Sequence, residues 1–107
     1  MNIAVNTRLL LKDRLEGIGW FTHETFMRIT LSHPEHSFFF LFDRPFDPSF
    51  VFSGNVKPIV LHPQARHPLL YKYWFNRAVP KALKANNVVL FVSPDGYLSL
   101  ATDVPSV

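Results

Sequence analysis

Two glycines separated by one residue form the segment of this sequence that is best suited to binding a ligand. Gly17-Ile18-Gly19 follows an apolar, strand-like run and precedes a run with helical spacing. Because glycine has no Cβ, a chain can turn sharply there and a ligand can approach its N–H groups closely. A helix that begins directly behind such a loop adds unpaired N–H donors and the positive end of its dipole. The segment therefore predicts a loop suited to a phosphate group.

The two familiar glycine-rich phosphate motifs do not fit this loop. The dinucleotide fingerprint needs a third glycine and the P-loop needs a Lys-Ser/Thr pair, and neither follows Gly19. A tight strand-to-helix turn without a ligand explains the glycines as well as a phosphate site does. The motif by itself leaves both interpretations open.

Two aspartates, Asp43 and Asp95, each come after an apolar run that reads as a strand. The carboxyl edge of a parallel sheet is where open α/β folds bind their ligands. Aspartate is also a common turn and cap residue, which is the interpretation we favour for Asp43. At Asp95, beside Gly96 and Tyr97, the two interpretations are equally supported, because backbone, carboxylate and phenol together suit a polyhydroxylated ligand.

The histidines, serines and cysteines give no catalytic or metal-binding pattern. His33 and His36 straddle Pro34, and no Asp, Glu or His at helical spacing completes a ligand set. We therefore expect surface or capping histidines, and no metal, at His23, His33, His36, His62 and His67. Ser93 and Ser99 lack the nucleophile-elbow pattern. With no cysteine, the chain has no disulfide, thiolate metal site or thiol nucleophile.

The amino-acid composition indicates one folded domain with a modest net charge. The 107 residues are 48% apolar and include 11 Phe, 3 Tyr and 2 Trp, which is ample for a core. The net charge of +3 comes from scattered basic residues, so we expect no nucleic-acid partner. No signal peptide is evident and no apolar run approaches the roughly 20 residues that span a bilayer, so we expect a cytoplasmic protein. The aromatic run of residues 71–75 favours core packing over a docking or membrane-facing surface.

The apolar pattern predicts the elements that position these residues. It predicts strands at residues 3–11, 38–42, 56–61 and 88–92, and helices at residues 20–32 and 69–86, the second broken or kinked by Pro80. This order is typical of an α/β domain with a mostly parallel sheet flanked by helices. Residues 104–107 read as the start of another strand. We therefore expect residues 1–107 to be a single partial domain, the leading part of a longer protein.

Three segments together resemble a known family. They are the first strand with its following residues, 3–10, the segment 17–24 that contains the glycine loop, and Ser93-Pro94-Asp95-Gly96. In this order they resemble the opening of the GT-B, family 4 retaining glycosyltransferases, especially the bacterial mannosyltransferase-like members. The resemblance extends over essentially all 107 residues.

The resemblance implies two Rossmann-like domains, of which the amino-terminal, acceptor-side one faces a carboxyl-terminal donor domain across a cleft. Its glycine loop, here Gly17, Ile18 and Gly19, would approach the donor diphosphate, and Trp20, Asp95, Gly96 and Tyr97 would line the acceptor side of the cleft. The family's histidine-bearing segment and paired glutamates do not lie in residues 1–107. The resemblance therefore implies no catalytic residue here, no activity from this part alone and no cofactor.

The implied partners are a nucleotide-sugar donor and a glycan or lipid-linked acceptor, with peripheral membrane association and self-association also expected. Two other classes stay open: a self-contained, flavodoxin-like nucleotide-binding module and a non-catalytic interaction domain that uses residues 71–75. A reading frame that continues past Val107 into a histidine and a second domain with spaced glutamates would favour the transferase. The sequence does not identify the sugar, the nucleotide or the acceptor.

Overall fold

A computed structural model describes residues 1–11, 15, 17–62, 68–94 and 102–107. Its elements, in chain order, are β1 (Asn2–Asn6), α1 (Ile18–Ser32), β2 (Ser37–Phe42), a short 3-10 helix (Pro48–Phe50), β3 (Val56–Val60), α2 (Pro68–Tyr73), a π-helical turn (Trp74–Ala78), α3 (Val79–Ala85) and β4 (Leu90–Val92). The four strands form one all-parallel sheet in the order β3-β2-β1-β4. The prediction of a Rossmann-like α/β fold is confirmed.

The strand order places β1 at a topological switch point. The chain moves from β1 through β2 to β3 on one side, and β4 then pairs with β1 on the other side. This is the order of the first half of a Rossmann sheet, whereas the flavodoxin-like order 2-1-3-4-5 would place β1 between β2 and β3. In such sheets the crevice for a ligand opens at the carboxyl ends of the two strands on either side of the switch, here β1 and β4.

The last residues extend the sheet beyond β4, as the sequence pattern predicted for residues 104–107. Phe91 N–H donates to the carbonyl of Pro105 at 2.9 Å, Val107 N–H donates to the carbonyl of Phe91 at 3.0 Å, and the bridge between Phe91 and Ser106 is parallel. β4 is therefore flanked on both sides, which accounts for the complete burial of Phe91.

The phenylalanines of β2 contribute to two cores because side chains alternate across a strand. On one face, Phe39 and Leu41 pack in a cluster with Trp74 and Val79 of the second helical region. On the other, the remaining β2 phenylalanines pack with Phe26 of α1. A parallel sheet covered on both faces needs this continuous apolarity, which is the reason why the run 38–42 predicted its strand correctly.

The element boundaries differ from the prediction at two important places. β1 ends at Asn6 rather than at residue 11, because Leu10 N–H donates to the carbonyl of Thr7 at 2.9 Å and turns the chain out of the sheet. The glycine loop is also shorter than predicted, since α1 begins at Ile18 and includes Gly19. α1, with 15 residues, is the longest helix described, and no helix in the described ranges is both long and apolar enough to cross a membrane.

The second helical region changes geometry before Pro80, as predicted. Val79 N–H donates to the carbonyl of Trp74, which is the five-residue spacing of a π turn, and α3 then starts with Pro80 in its first turn. Proline lacks an N–H and is tolerated in the first turn of a helix. The π turn ends directly before Val79, so Pro80 lies in the first turn of α3. The helical spacing of Leu69, Tyr73 and Trp74 predicts one apolar stripe, but only Trp74 is fully buried, whereas Leu69 and Tyr73 are 74% and 53% exposed.

Candidate functional site

Buried polar side chains concentrate at the carboxyl ends of the strands. Of the seven buried polar or charged residues in the described part of the chain, two are threonines of α1, whose hydroxyl groups donate to helix carbonyls. The other five directly follow or end β1, β2 or β4: Asn6, Thr7, Arg8, Asp43 and Ser93. Buried polar groups cost free energy unless they are hydrogen-bonded, so their concentration at one edge requires an explanation.

A hydrogen bond joins the two strands at the switch point. Asn6, at the end of β1, donates from Nδ2 to Ser93 Oγ at 3.1 Å, and Ser93 directly follows β4. The other amide atom, Asn6 Oδ1, accepts the backbone N–H of Arg8 at 3.2 Å. One amide thus holds both the β4 end and the turn that follows β1, and it fixes the width of the crevice between the two strands.

Thr7 and Arg8 continue this polar edge. Thr7 is fully buried, and both its N–H and its hydroxyl donate to the carbonyl of Leu41 at 3.1 Å. The Arg8 guanidinium lies over the ring of Phe75, 5.8 Å from its centroid, and the residue is buried. A buried guanidinium against an aromatic ring is a positive charge held in a low-dielectric place, which favours anionic groups nearby.

Asp43 lies in the bend directly after β2, as its interpretation as a turn residue predicts, and it belongs to the same polar edge. Its side chain is fully buried, and Arg44 donates to it twice, from Nε to Oδ1 at 2.9 Å and from Nη2 to Oδ2 at 3.2 Å. This bidentate geometry is the strong form of an arginine–carboxylate pair. The pair provides a fixed charge distribution at the end of β2, next to the end of β1.

The two positions of the loop require glycine for different structural reasons. Gly17 is the N-cap of α1 with φ 44° and ψ −106°, a backbone conformation that L side chains rarely adopt, and nothing lies within 4 Å of where its Cβ would be. A Cβ on Gly19 would lie 2.9 Å from the carbonyl oxygen of Leu9. Gly19 is therefore required by packing of α1 against the segment behind β1, and Gly17 by the turn.

The start of α1 has backbone donors without a capping side chain. The N-cap residue, Gly17, has no side chain that could accept from the helix N–H groups, and the first turn of α1 contains no acidic residue. The first intrahelical donor here is Phe21 N–H, which bonds the carbonyl of Gly17 at 3.1 Å, so the N–H groups of Ile18, Gly19 and Trp20 precede the helical ladder. Such donors favour an anion.

Trp20 lies in the first turn of α1 and is 52% exposed, next to Ile18 and Phe21, which are exposed too. Its ring contacts His23 edge-to-face, with the centroids 5.9 Å apart. His23 also packs edge-to-face against Phe52 at 5.2 Å. An exposed indole is a flat apolar surface on which a sugar ring can stack.

The structure thus places four of the predicted site residues, Gly17, Ile18, Gly19 and Trp20, at the start of α1, which follows the carboxyl end of β1. Asp95, Gly96 and Tyr97 lie outside the described residues. The prediction missed Asn6, Thr7 and Arg8, three consecutive polar residues inside a run that was read as one strand. Their polarity was the available signal, because a polar triplet directly after a buried strand marks its carboxyl end.

A groove elsewhere on the surface is a weaker candidate. It has a volume of about 670 Å³ and runs along edge strand β3, lined by Leu61, His62, Tyr73, Arg77 and Lys81 among others. It is far from the switch point in strand order, and none of the buried polar side chains lines it. The carboxyl edge of β1 and β4 is therefore the site on which a function can be argued.

No protein-family model matches this chain, and no curated protein or solved structure matches it significantly.

Proposed function

We propose that this chain is the acceptor-side Rossmann-like domain of a GT-B, family 4 retaining glycosyltransferase. The observation that supports the proposal best is the placement of five buried polar side chains at the carboxyl ends of β1, β2 and β4, at the switch point of a Rossmann-ordered sheet. The uncapped start of α1 follows the same edge. The resemblance of the glycine loop and its flanking segments to that family supplies the reaction class.

The reaction would transfer a sugar, with mannose as the first candidate, from a nucleotide-diphosphate donor to a glycan or lipid-linked acceptor with retention of anomeric configuration. Negative charge builds on the departing diphosphate as the glycosidic bond breaks, and preorganised N–H donors stabilise that charge. The N–H groups of Ile18, Gly19 and Trp20 are suited to this role because α1 begins at them. Backbone donors of this kind act without a cofactor.

The side chains at the edge would serve the acceptor. Asn6, Ser93 and Arg8 offer amide, hydroxyl and guanidinium groups, the set that hydrogen-bonds polyhydroxylated and anionic molecules. Trp20 would add a stacking surface, since its indole is half exposed. The donor nucleotide and the catalytic residues would come from a second domain, and the reaction would take place in the cytoplasm, at the inner face of a membrane when the acceptor is lipid-linked.

The test is sugar transfer by the product of the complete gene that encodes residues 1–107. The purified protein is incubated with GDP-mannose, UDP-glucose and UDP-N-acetylglucosamine in turn, together with a lipid-linked acceptor fraction, and the anomer of any product is assigned by NMR. We expect one donor to be used with retention. Inversion, or no transfer from any nucleotide sugar by a folded protein, contradicts the proposal.

Two variants locate the reaction at the loop. Gly17→Val places a side chain where the structure has open space and a positive φ, so it should reduce transfer strongly. Gly54→Ala introduces a Cβ with no neighbour within 4 Å at a site outside the carboxyl edge, and it should leave transfer unchanged. Equal rates for both variants, in proteins of equal thermal stability, would remove the loop from the mechanism.

Residues 1–107 alone should bind nucleotide sugars weakly or undetectably, because the proposal assigns the donor site to the second domain. Calorimetric titration of the chain with GDP-mannose and UDP-glucose measures this. Low-micromolar affinity would instead favour a self-contained nucleotide-binding module.

A further inference from the structure

A second cluster of chemically active side chains lies at the opposite end of the sheet. The turn His33-Pro34-Glu35-His36 connects the end of α1 to the start of β2. His33, Glu35 and His36 each offer one ligand atom, and these three atoms lie within 4.8 Å of one another. The sequence prediction excluded a metal here because it searched for ligands at helical spacing, whereas the turn itself brings Glu35 between the two imidazoles.

The distances in the cluster are close to those of a coordination sphere. His33 Nδ1 lies 3.0 Å from Glu35 Oε1, and His36 Nε2 lies 3.7 Å from the same oxygen. The two imidazole rings are stacked, with an interplanar angle of 24° and centroids 5.7 Å apart. Ligands about 2.0–2.2 Å from a tetrahedral zinc ion are separated from one another by similar distances. Small side-chain rotations therefore suffice to direct all three atoms at one ion.

The backbone of this turn is fixed before any ion arrives. His36 N–H donates to the carbonyl of His33 at 3.1 Å, which closes the turn. Asn55, at the end of the loop before β3, donates from Nδ2 to the carbonyls of Thr30, His33 and His36 at 3.0, 3.0 and 3.1 Å. A ligand set on a preformed turn loses little conformational entropy when it binds a metal.

The negative end of the α1 dipole and the terminal ammonium of Met1 both lie near the turn. The turn follows the negative end of the α1 dipole, and the last turn of α1 contains no basic residue. The exposed Glu35 side chain contributes the negative charge of the ligand set. The amino group of Met1 lies 3.2 Å from His36 Nδ1, which leaves Nε2 of that ring toward Glu35.

We propose that His33, Glu35 and His36 form a binding site for one zinc ion, with water in the fourth position. Two imidazoles and one carboxylate are a ligand set that zinc accepts. All three side chains are accessible, with exposed fractions of 51%, 58% and 27% in sequence order. The site lies at the amino ends of β1 and β2, opposite the carboxyl edge, so it is independent of the proposed transfer reaction.

The test is titration of the purified chain with Zn²⁺ in a buffer that does not coordinate metals, followed by competition with a chromophoric chelator. We expect one ion per chain. His33→Ala, His36→Ala and Glu35→Gln should each lower the affinity at least about tenfold, since removal of even an outer partner of a metal site costs that much. His33 and Glu35 are exposed and His36 is half-buried, so circular dichroism spectra that match the parent are required of each variant.

His62→Ala is the matched control, because His62 is an exposed histidine outside the cluster. It should bind Zn²⁺ as tightly as the parent chain. In imidazole NMR spectra, Zn²⁺ should shift the ring signals of His33 and His36 and leave those of His62 in place. The proposal is wrong if Zn²⁺ does not bind saturably, if several ions bind with similar affinity, or if His62→Ala weakens binding as much as His33→Ala does.

Discussion

Replacing Gly19 by alanine measures how closely α1 approaches the segment behind β1. The new Cβ would lie 2.9 Å from the carbonyl oxygen of Leu9 and 3.5 Å from Cδ2 of Leu15. Ordinary contacts between non-bonded atoms are about 3.5–4.0 Å, so the helix or the Leu9 backbone must move by about half an ångström. The obstacle is a backbone carbonyl, which cannot rotate away as the end of a flexible side chain can.

The expected change in the free energy of unfolding is the difference between the cost of overpacking and the gain in helix propensity. Overpacking of this kind costs about 1–3 kcal/mol, while alanine gains up to about 1 kcal/mol over glycine in a helix, so we expect Gly19→Ala to lose about 1–2 kcal/mol. In a domain of this size each kcal/mol lowers the melting temperature by about 4–8 °C. Gly54→Ala, with open space and no positive φ, should stay within about 0.5 kcal/mol of the parent.

Urea unfolding followed by tryptophan fluorescence is the assay. Trp74 is fully buried and reports the core, whereas Trp20 is half exposed and is replaced by phenylalanine in all variants to simplify the signal. If Gly19→Ala is as stable as the Gly54→Ala control or more stable, α1 does not pack closely against the Leu9 carbonyl, and glycine is not required at position 19.

Three further substitutions test the core, a backbone conformation and the surface. Trp74→Ala should lower the free energy of unfolding by about 3–5 kcal/mol, because it removes a fully buried ring and its 3.1 Å hydrogen bond to the Leu61 carbonyl. Unfolding followed by circular dichroism measures this, and an equal loss in Trp20→Ala would contradict it. Asn87 has φ 53°, a left-handed backbone conformation, so Asn87→Ala should lower the free energy of unfolding by about 1–2 kcal/mol. Asn87→Gly should leave thermal stability nearly unchanged, and the reverse order of the two variants would refute the left-handed assignment. Trp20 and Phe21 are 52% and 59% exposed, so the chain should self-associate at high concentration and a Trp20→Ser/Phe21→Ser variant should not; sedimentation of the parent as a strict monomer would contradict the prediction.

The fold could be predicted from sequence because its strands are marked by unbroken apolar runs. The residues of β2 from Phe38 to Phe42 are buried on both faces, so their type alone indicates a covered parallel strand. The end of β1 was predicted wrongly because Leu9 and Leu10 continue the apolar pattern after the chain has left the sheet. There a local backbone hydrogen bond decides the structure, and hydropathy does not report it.

The candidate site was harder to predict because its contacts are distant in sequence. Asn6 and Ser93 are 87 residues apart, and their hydrogen bond exists because β1 and β4 are neighbours in the sheet. No local pattern specifies that pairing. Gly17 and Gly19 were identified by their type, but the reason for Gly19, its distance to the carbonyl of Leu9, also depends on tertiary structure.

The polar edge differs from the other buried polar residues in the elements that its hydrogen bonds connect. Thr22 and Thr30, the two buried polar residues elsewhere, donate to carbonyls of their own helix and need no further account. At the edge, by contrast, the Asn6 amide bridges two strands and a turn, and apolar residues there would avoid the cost of its desolvation. These desolvated groups lie at the ends of β1 and β4, the neighbouring strands at which the sheet order changes direction. In open α/β sheets a ligand crevice forms at such a position. The proposed acceptor site is placed at this edge because amide, hydroxyl and guanidinium groups occur together there.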